Sequence, residues 1–478
     1  MDVLFDARLL NRALSGLERV QLNVLRELSQ MSEITRLRLI VLKGTEPAKP
    51  LPQNIEKVEV WTTDDIIKVI VDDKPDVYHM TWFPDTTPRD LWLPLLAPAS
   101  VVEVHDAILN RHPEYFPSED LWRWYDSFIK RLIRNADRLL VHTKSVAREI
   151  KDDLDGDSSI ADIAPLAVDP DLQTPLSKEE VERRCRRIGF SGDFVLAVGK
   201  DYPHKDHESL FKAISRMDPN VTLCVAGSKI WRHGGQTSDE IIKRLGIESR
   251  VKWVQGLDDV DVKALIQGSR VMAFPSLEEG FGLPPIEAMT LGTPVVAADA
   301  MSIPEVCGDG AWLHPAGDDK KLEELLRRAI AGGEDTAALI ERGHARAKEF
   351  SWRRTAELTV QCYRNAIATA KDRSSPRPEV SDPIVDMLSV ISRYGQDDAE
   401  KQSSAWQQRC LGAESQLRRA HAHSAKLEEM LVELQQTPPE APKEEPLAKV
   451  IVNGKRPRWS LRRRIRKIQD GLRERFKS

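Results

Sequence analysis

The stretch FPSLEEGFGLPPIEAMTLGTPVVAAD, residues 274–299, decides the fold of this chain. The stretch begins where an apolar strand ends, and a loop with Gly280 and Gly282 follows. Pro284 and Pro285 then open a helix, because proline suits the first helical turn. The apolar run PVVAAD is the next strand. A strand that leads through a helix into another strand is typical of a parallel α/β sheet.

Short apolar runs alternate with amphipathic stretches throughout residues 3–370. The runs are VLFDA, LRLIVL, VYHM, VVEVHD, RLLVHT, ADIAP, FVLAVG, VTLCVAG, VKWVQG, VMAFPS and PVVAAD. Successive apolar residues indicate strands buried on both faces, and hence parallel sheets covered by helices. The series restarts after about residue 170, where a helical stretch (175–193) leads into FVLAVG. We therefore predict an α/β protein with two doubly wound, Rossmann-like domains that face a cleft, with ligands at the carboxyl ends of the strands.

Composition shifts divide the chain further, since RSSPRPEVSDP and QTPPEAPKEEP read as linkers. The predicted segments are an N-terminal Rossmann-like domain (1–170), a C-terminal Rossmann-like domain (171–350), a helix that packs back on the N-terminal domain (351–372), a linker (373–383), a heptad helix (384–436), a disordered linker (437–453) and a basic amphipathic helix (454–478).

The composition excludes several classes of protein. The chain has 478 residues, of which 41% are hydrophobic and 30% charged, which suits two domains with extensions. No run of eighteen apolar residues occurs, which argues against a membrane-spanning helix. The five cysteines lie far apart without metal-ligand spacing, so we expect a reduced protein without disulfides or structural zinc. The opening MDVLFDARLL lacks the features of a secretory signal, and we expect a cytoplasmic location.

Two carboxylates flank the glycine-rich turn, Glu279 before it and Glu287 farther along the helix. The N–H groups at the start of that helix would bind a phosphate. Two carboxylates on either side of a bound diphosphate would then hold sugar hydroxyls at two places. The alternative is a plain strand–turn–helix with a glutamate cap, and the residues alone leave both open.

A second candidate site is VGKDYPHKDHESLFKAI, residues 198–214, where a strand ends at Gly199. Lys200 and Lys205 follow that strand and precede a helix. Two cations in this position suit a diphosphate and would stabilise it as a leaving group. The alternative is a pair of solvated loop lysines.

These motifs together resemble the retaining glycosyltransferases of the GT-B fold, specifically family four with its Glu–seven residues–Glu signature. The resemblance covers roughly residues 1–372 and includes GTPVVAADAMSIPEVCGDGAWLHPAGD (292–318). It implies that Glu279 contacts the donor sugar and that Glu287 binds the ribose of the nucleotide. The resemblance further places Lys200 and Lys205 on the diphosphate, and it brings the donor to the backbone of Phe281, Gly282 and Leu283.

The resemblance assigns further candidates in the N-terminal half. Gly16 matches a glycine loop near the donor phosphate, although an ordinary strand–helix turn is the alternative. His105 and Asp106 match a loop that holds the donor sugar or steers the acceptor, and Asp106 alternatively caps a turn. His79 and Trp82 follow another strand and would line the acceptor pocket, with core packing as the alternative.

The resemblance implies a reaction in which a sugar moves from a nucleoside diphosphate to an acceptor with retention of its anomeric configuration. Because no second carboxylate is evident as a covalent nucleophile, attack from the front face is the favoured mechanism. No acidic pair typical of metal-dependent transferases is present, so we expect no metal and no cofactor other than the nucleotide-sugar co-substrate. The segment GFGLPPIEAM with the following PEV resembles mannosyltransferases of surface polysaccharide assembly, which favours GDP-mannose. A UDP-sugar, dTDP-rhamnose and a non-catalytic scaffold remain the alternatives.

The last 25 residues (454–478) differ from the rest, with eleven Lys or Arg and two acidic residues. Apolar and basic side chains alternate there at helical spacing, as in helices that lie on anionic membranes. The predicted membrane-binding residues are Trp459, Leu461, Arg462, Arg463, Ile465, Arg466, Ile468, Leu472 and Phe476. A solvated or protein-docked helix is the alternative, and nucleic acid is disfavoured as a partner because no aromatic platform accompanies the charge.

A membrane-bound tail suits a lipid-linked saccharide acceptor and a peripheral position on the inner face of the cytoplasmic membrane. The heptad helix has a weak seam of small residues between Trp406 and Leu434. It would bind a coiled-coil partner, form a homo-oligomer or fold into a hairpin.

Overall fold

The computed structural model describes residues 1–11, 16–44, 47, 49–81, 90–91, 93–116, 118–229 and 237–372. The heptad helix, the basic tail and both linkers predicted after residue 372 lie outside the described residues, and so does Trp82. Within the described ranges, no helix combines the length and the apolar character that crossing a bilayer requires.

The N-terminal half forms a seven-stranded parallel sheet in the order β3-β2-β1-β4-β5-β6-β7. Its strands are β1 (Asp2–Asp6), β2 (Arg36–Leu42), β3 (Glu56–Val60), β4 (Val77–Thr81), β5 (Ser100–Glu103), β6 (Arg138–Val141) and β7 (Ala161–Ile163). Its helices are α1 (Gly16–Leu28), α2 (Thr63–Asp72), α3 (Leu93–Leu96), α4 (Ile108–Arg111), α5 (Glu119–Asn135) and α6 (Lys144–Asp152).

The second half forms a six-stranded parallel sheet in the order β10-β9-β8-β11-β12-β13. Its strands are β8 (Phe194–Val198), β9 (Thr222–Ala226), β10 (Val251–Val254), β11 (Val271–Phe274), β12 (Val295–Asp299) and β13 (Trp312–Pro315). The helices are α7 (Lys178–Ile188), α8 (His207–Arg216), α9 (Ser238–Arg244), α10 (Asp259–Gly268), α11 (Leu283–Thr290), α12 (Ile303–Cys307), α13 (Asp319–Ala331), α14 (Glu334–Ala347) and α15 (Trp352–Lys371).

Both sheets reverse their strand order at one point, between β1 and β4 in the first sheet and between β8 and β11 in the second. Residues that follow these strands lie in the crevice where doubly wound sheets bind ligands. The apolar runs in the middle of the sheets are buried on both faces, as in β4 and β11, where every residue is buried. The runs ADIAP and VKWVQG were also predicted to be buried on both faces, but they form the edge strands β7 and β10 and are only partly buried. The prediction of two parallel α/β Rossmann-like domains is therefore confirmed.

The final described helix, α15, crosses from the second sheet back to the first. It packs against α1 and against strands β4 to β7. Ala356, Val360 and Tyr363 on this helix are almost fully buried. Near its start, the Trp352 indole N–H donates to the carbonyl of Val168 at 3.0 Å. The N-terminal domain is thus completed by a segment from the end of the described chain.

Candidate active site in the cleft

The loop after β8 is shaped by a close backbone approach between two neighbouring strands. A Cβ atom added at Gly227, just after β9, would lie 1.9 Å from the carbonyl oxygen of Gly199. Lys200 follows, with an exposed side chain and no acidic partner among the described residues. A short 3₁₀ turn, Pro203–Lys205, then brings Lys205 toward the glycine-rich loop.

Lys205 and Glu279 form an ion pair at the carboxyl ends of the strands of the second sheet. The Lys205 ammonium lies 2.5 Å from a Glu279 carboxylate oxygen, and the two side chains are only 17% and 12% exposed. The same ammonium lies 5.7 Å above the ring of Phe274 at the end of β11. Glu279, His105, Lys200 and Lys205 are the residues predicted as catalytic, and two of them, Lys205 and Glu279, are therefore in contact. Lys200 follows the same strand end as Lys205.

The glycine-rich loop requires both of its glycines for different reasons. Gly282 caps α11 with φ +92°, and an added Cβ would lie 2.6 Å from Ile303 Cδ1. At Gly280 an added Cβ would lie 1.9 Å from the carbonyl oxygen of His105 in the other domain. This loop can therefore touch the N-terminal domain only because residue 280 lacks a side chain.

The backbone of this loop offers hydrogen-bond donors. The amides of residues 280–283 donate no hydrogen bond to any other described residue. The helix itself supplies fewer donors than the sequence analysis assumed. Pro284 and Pro285 lack N–H groups, so Leu283 and Ile286 carry the only N–H groups of its first turn. The N–H groups available to an anion therefore belong to the loop more than to the helix start.

Glu287 lies one turn into α11 and is half-buried. Burial raises the pKa of its carboxyl to about 7, Arg19 of the N-terminal domain opposes this shift, and Asp169 and Asp259 add to it. Arg19 is held by an ion pair with Asp259 across the cleft. A carboxyl in this environment is poised to accept hydrogen bonds from a ligand that supplies donors.

Asp106 is the acidic group that the N-terminal domain presents to the ion pair. Its carboxylate accepts a hydrogen bond from the Ile108 amide at 3.0 Å. Burial raises the pKa of Asp106. The negative charge of the nearby Glu279 adds to this shift, and the positive charge of Lys205 opposes it. The imidazole of His105, by contrast, is turned into the domain, where its Nε2 lies 3.7 Å from Glu103. Burial lowers the pKa of His105 to about 4.

The other candidates occupy different surroundings. His79 is fully buried, with Nδ1 2.7 Å from the Tyr363 hydroxyl, a geometry that favours the core-packing alternative. Gly16 is the exposed first residue of α1, where an added Cβ meets nothing within 4 Å.

Three further contacts join the two domains, and their residues were not among those predicted from the sequence. Glu278 binds the Arg111 guanidinium and lies 2.7 Å from Nε2 of His112. Glu305 accepts hydrogen bonds from the first amides of α6, at 2.9 Å and 3.3 Å. The Tyr115 hydroxyl lies 3.0 Å from Nδ1 of His204. The sequence offers two weak signals for the contact of Glu278 with Arg111 and His112. These are the adjacent acidic residues in LEEG (277–280) and the polar segment RHPEY (111–115).

Residues 182–346 match the family model described as glycosyl transferases group 1. The chain is 34% identical over 256 residues to an MMP alpha-(1->4)-mannosyltransferase of Mycolicibacterium hassiacum, which covers 52% of this chain and 59% of that protein. It is 28% identical over 247 residues to a D-inositol 3-phosphate glycosyltransferase of Mycobacterium leprae, covering 50% and 56%. The chain thus spans somewhat more than half the length of these curated relatives.

The fold is similar to that of Anabaena Alr3699/HepE, solved in complex with UDP. The TM-score is 0.57 at 19% identity, and the match covers 76% of this chain and 99% of that one. This similarity shows the two-domain GT-B fold.

Proposed function

We propose that this chain is a retaining glycosyltransferase that uses a nucleoside diphosphate sugar. The observation that carries the proposal is the contact between Lys205 and Glu279, with Lys200 and the loop amides, which donate to no residue in the described part of the chain, beside it. The match of residues 182–346 to glycosyl transferases group 1 supports it. Lysine side chains and backbone amides at the end of a parallel strand are suited to binding a diphosphate.

In this proposal the bound diphosphate replaces Glu279 as the partner of Lys205. Phosphate oxygens take the Lys205 ammonium, and Glu279 is released to accept hydrogen bonds from the donor sugar. Glu287 binds the ribose through its carboxylate. Since Asp106 and Glu279 lie on opposite domains, a sugar held between them is enclosed by both sheets, which excludes water from the reacting carbon.

The proposed reaction breaks the bond between the anomeric carbon and the phosphate oxygen. The acceptor oxygen forms the new bond on the same face, and its proton passes to the leaving diphosphate. Lys200, Lys205 and the loop amides stabilise the charge that grows on that group. This step draws on the protein's own cations, so we propose that the transfer needs no metal ion.

For the donor we propose GDP-mannose, which the similarity to the M. hassiacum mannosyltransferase supports. A lipid-linked saccharide is the proposed acceptor, because the basic amphipathic tail would hold the enzyme on the inner face of the cytoplasmic membrane. Exchanging Arg462, Arg463 and Arg466 for glutamate in the full chain should abolish sedimentation with anionic vesicles. Unchanged sedimentation would remove the tail as the anchor.

The first test is calorimetric titration of GDP, UDP, dTDP and ADP, followed by the sugar form of whichever nucleotide binds. Lys205→Ala should lower the transfer rate at least a hundredfold, as is typical when a charge-stabilising group is removed. Lys212→Ala is the matched control, because that lysine lies on the same domain in an exposed pair with Glu208. Near-normal turnover in Lys205→Ala would refute the assignment.

Glu279→Ala should weaken binding of the sugar nucleotide more than binding of the nucleotide alone. If none of the nucleotides binds the folded protein, the alternative of a non-catalytic scaffold is favoured instead.

A further inference from the structure

Beneath the cleft, three histidines surround one buried glutamate. Glu103 ends β5 and is 2% exposed. Nε2 of His142 lies 3.2 Å from one of its carboxylate oxygens, and Nε2 of His105 lies 3.7 Å from the other. His79 on β4 approaches the same carboxylate at 3.7 Å. None of the three Nε2 atoms has a hydrogen-bond partner, although all are buried.

The hydrogen-bond geometry of His142 makes this arrangement unusual. Its Nδ1 lies 2.9 Å from the carbonyl oxygen of Ala164, which can only accept, so Nδ1 carries the proton. In the neutral ring Nε2 is then an acceptor, and it faces a carboxylate, which is another acceptor. Two buried acceptors at 3.2 Å repel each other unless a proton or a metal cation lies between them.

We propose that Glu103, His105 and His142 bind a divalent metal ion, and that this ion is Zn²⁺. Two imidazoles and one carboxylate form a common zinc ligand set. Ligand atoms about 2.0–2.2 Å from a tetrahedral ion lie roughly 3.3–3.6 Å from one another. The two distances to the carboxylate oxygens, 3.2 Å and 3.7 Å, lie within about 0.1 Å of this range, and the ligand atoms of the three residues all lie within 4.8 Å of one another.

The surroundings of the three ligands are also those of a metal site. The Thr81 hydroxyl donates to Glu103 at 2.6 Å, and the Ala164 carbonyl orients His142. Hydrogen bonds of this kind fix the orientation and tautomer of metal ligands. His79 is the nearest further imidazole and would supply a fourth ligand after a small shift.

The proposed ion is separate from the transfer chemistry proposed above. It would lie within the N-terminal domain on the side of the sheet that α15 covers, since His79 also contacts Tyr363. Its role would be to fix the loop that carries His105 and Asp106 against Gly280 of the other domain. The inference does not rest on the proposed activity, because its test measures metal and not turnover.

The test uses the full chain, purified without a polyhistidine tag and dialysed against metal-free buffer. Zinc content is measured by mass spectrometry, and Co²⁺ is added to the stripped protein as a spectroscopic probe. We expect about one zinc ion per chain and a tetrahedral Co²⁺ absorption spectrum. Glu103→Gln and His142→Gln should each lower the affinity for Zn²⁺ at least tenfold while circular dichroism shows an intact fold.

His314→Gln is the matched control for His142→Gln. His314 is also fully buried, and its Nδ1 also lies 2.9 Å from a backbone carbonyl oxygen. That variant should keep the metal. A wild-type chain that binds neither Zn²⁺ nor Co²⁺ would overturn the proposal and place a proton on His142 or His79 instead. Equal metal content in all variants would overturn it as well.

Discussion

The contact between Gly280 and His105 makes a quantitative prediction about the closure of the two domains. In Gly280→Ala the new methyl group would lie 1.9 Å from the His105 carbonyl oxygen and 3.2 Å from Asp106 Cβ. A carbon and an oxygen atom need more than 3 Å, so the domains must separate by about 1 Å or more. Overpacking of this kind costs about 1–3 kcal/mol. Because the clash is between domains, the cost falls on the closed arrangement and not on the folding of either sheet.

A cost of about 1–3 kcal/mol corresponds to a shift of roughly 5- to 150-fold in the equilibrium between closed and open arrangements. Small-angle X-ray scattering should show a larger radius of gyration, while circular dichroism stays unchanged. Under the proposed function, the transfer rate should fall about a hundredfold, as a displacement near 1 Å typically causes.

The control is Gly192→Ala. Gly192 has φ +97°, and an added Cβ there meets nothing within 4 Å. It precedes β8 and therefore lies at the amino end of that strand, away from the cleft, so this variant bears only the backbone strain of a left-handed alanine. A Gly280→Ala protein with wild-type scattering and a wild-type rate would refute the reasoning.

Three further predictions concern titration and packing. The contact of Glu278 with His112 should stabilise the closed form most between about pH 4.5 and 6.5. Hydrogen bonds from His112 and Arg111 lower the pKa of Glu278 to about 2, although burial acts in the opposite direction. Hydrogen bonds to Glu278 and Glu114 raise the pKa of His112. The contact weakens as pH rises through the raised pKa of His112, or as it falls toward 2, and scattering against pH should follow this window. Because burial raises the pKa of Glu287 to about 7, nucleotide affinity measured by calorimetry should fall by up to roughly tenfold per pH unit below 7. Tyr363→Phe should lower the free energy of unfolding in urea by about 1–3 kcal/mol, since it removes a buried partner of a histidine.

The two titration predictions have control variants, and the packing prediction has an outcome that would contradict it. Glu114 contacts the other nitrogen of His112 but is 55% exposed, so Glu114→Gln should change the pH window less than Glu278→Gln does. Glu287→Gln should remove the pH dependence of nucleotide affinity, apart from what the nucleotide itself contributes. An unfolding free energy unchanged in Tyr363→Phe would show that the hydroxyl is not needed in the core.

The sequence was sufficient for the two sheets because their strands are apolar on successive residues, which only a doubly covered parallel sheet accommodates. The pairing of Lys205 with Glu279 was also within reach, since both follow strand ends that share one edge. The number of N–H donors at the start of α11 was overestimated. Two prolines mark the first turn of a helix, but they also lack the N–H groups that would bind an anion.

The cluster around Glu103 could not be found from spacing. Its side chains come from the ends of β5 and β6, which are separated in the chain and adjacent through the strand order. The orientation of His105 was equally hidden, because a strand end does not reveal to which face the next side chain turns. Arg111 and Glu278 likewise become neighbours only when the two domains meet.

The return of α15 to the first sheet has a consequence during protein synthesis. The strands β1 to β7 are complete once residue 163 has been made, but the face that Ala356, Val360 and Tyr363 cover stays open until α15 emerges. At about 5–20 residues per second, that interval lasts roughly 10–40 s. Throughout it the nascent N-terminal domain presents an apolar sheet face to the surrounding solution, while the second domain can already fold. The first domain to be translated is therefore the last to be finished, and α15 acts as the closing segment that ends its exposure to chaperones and to aggregation.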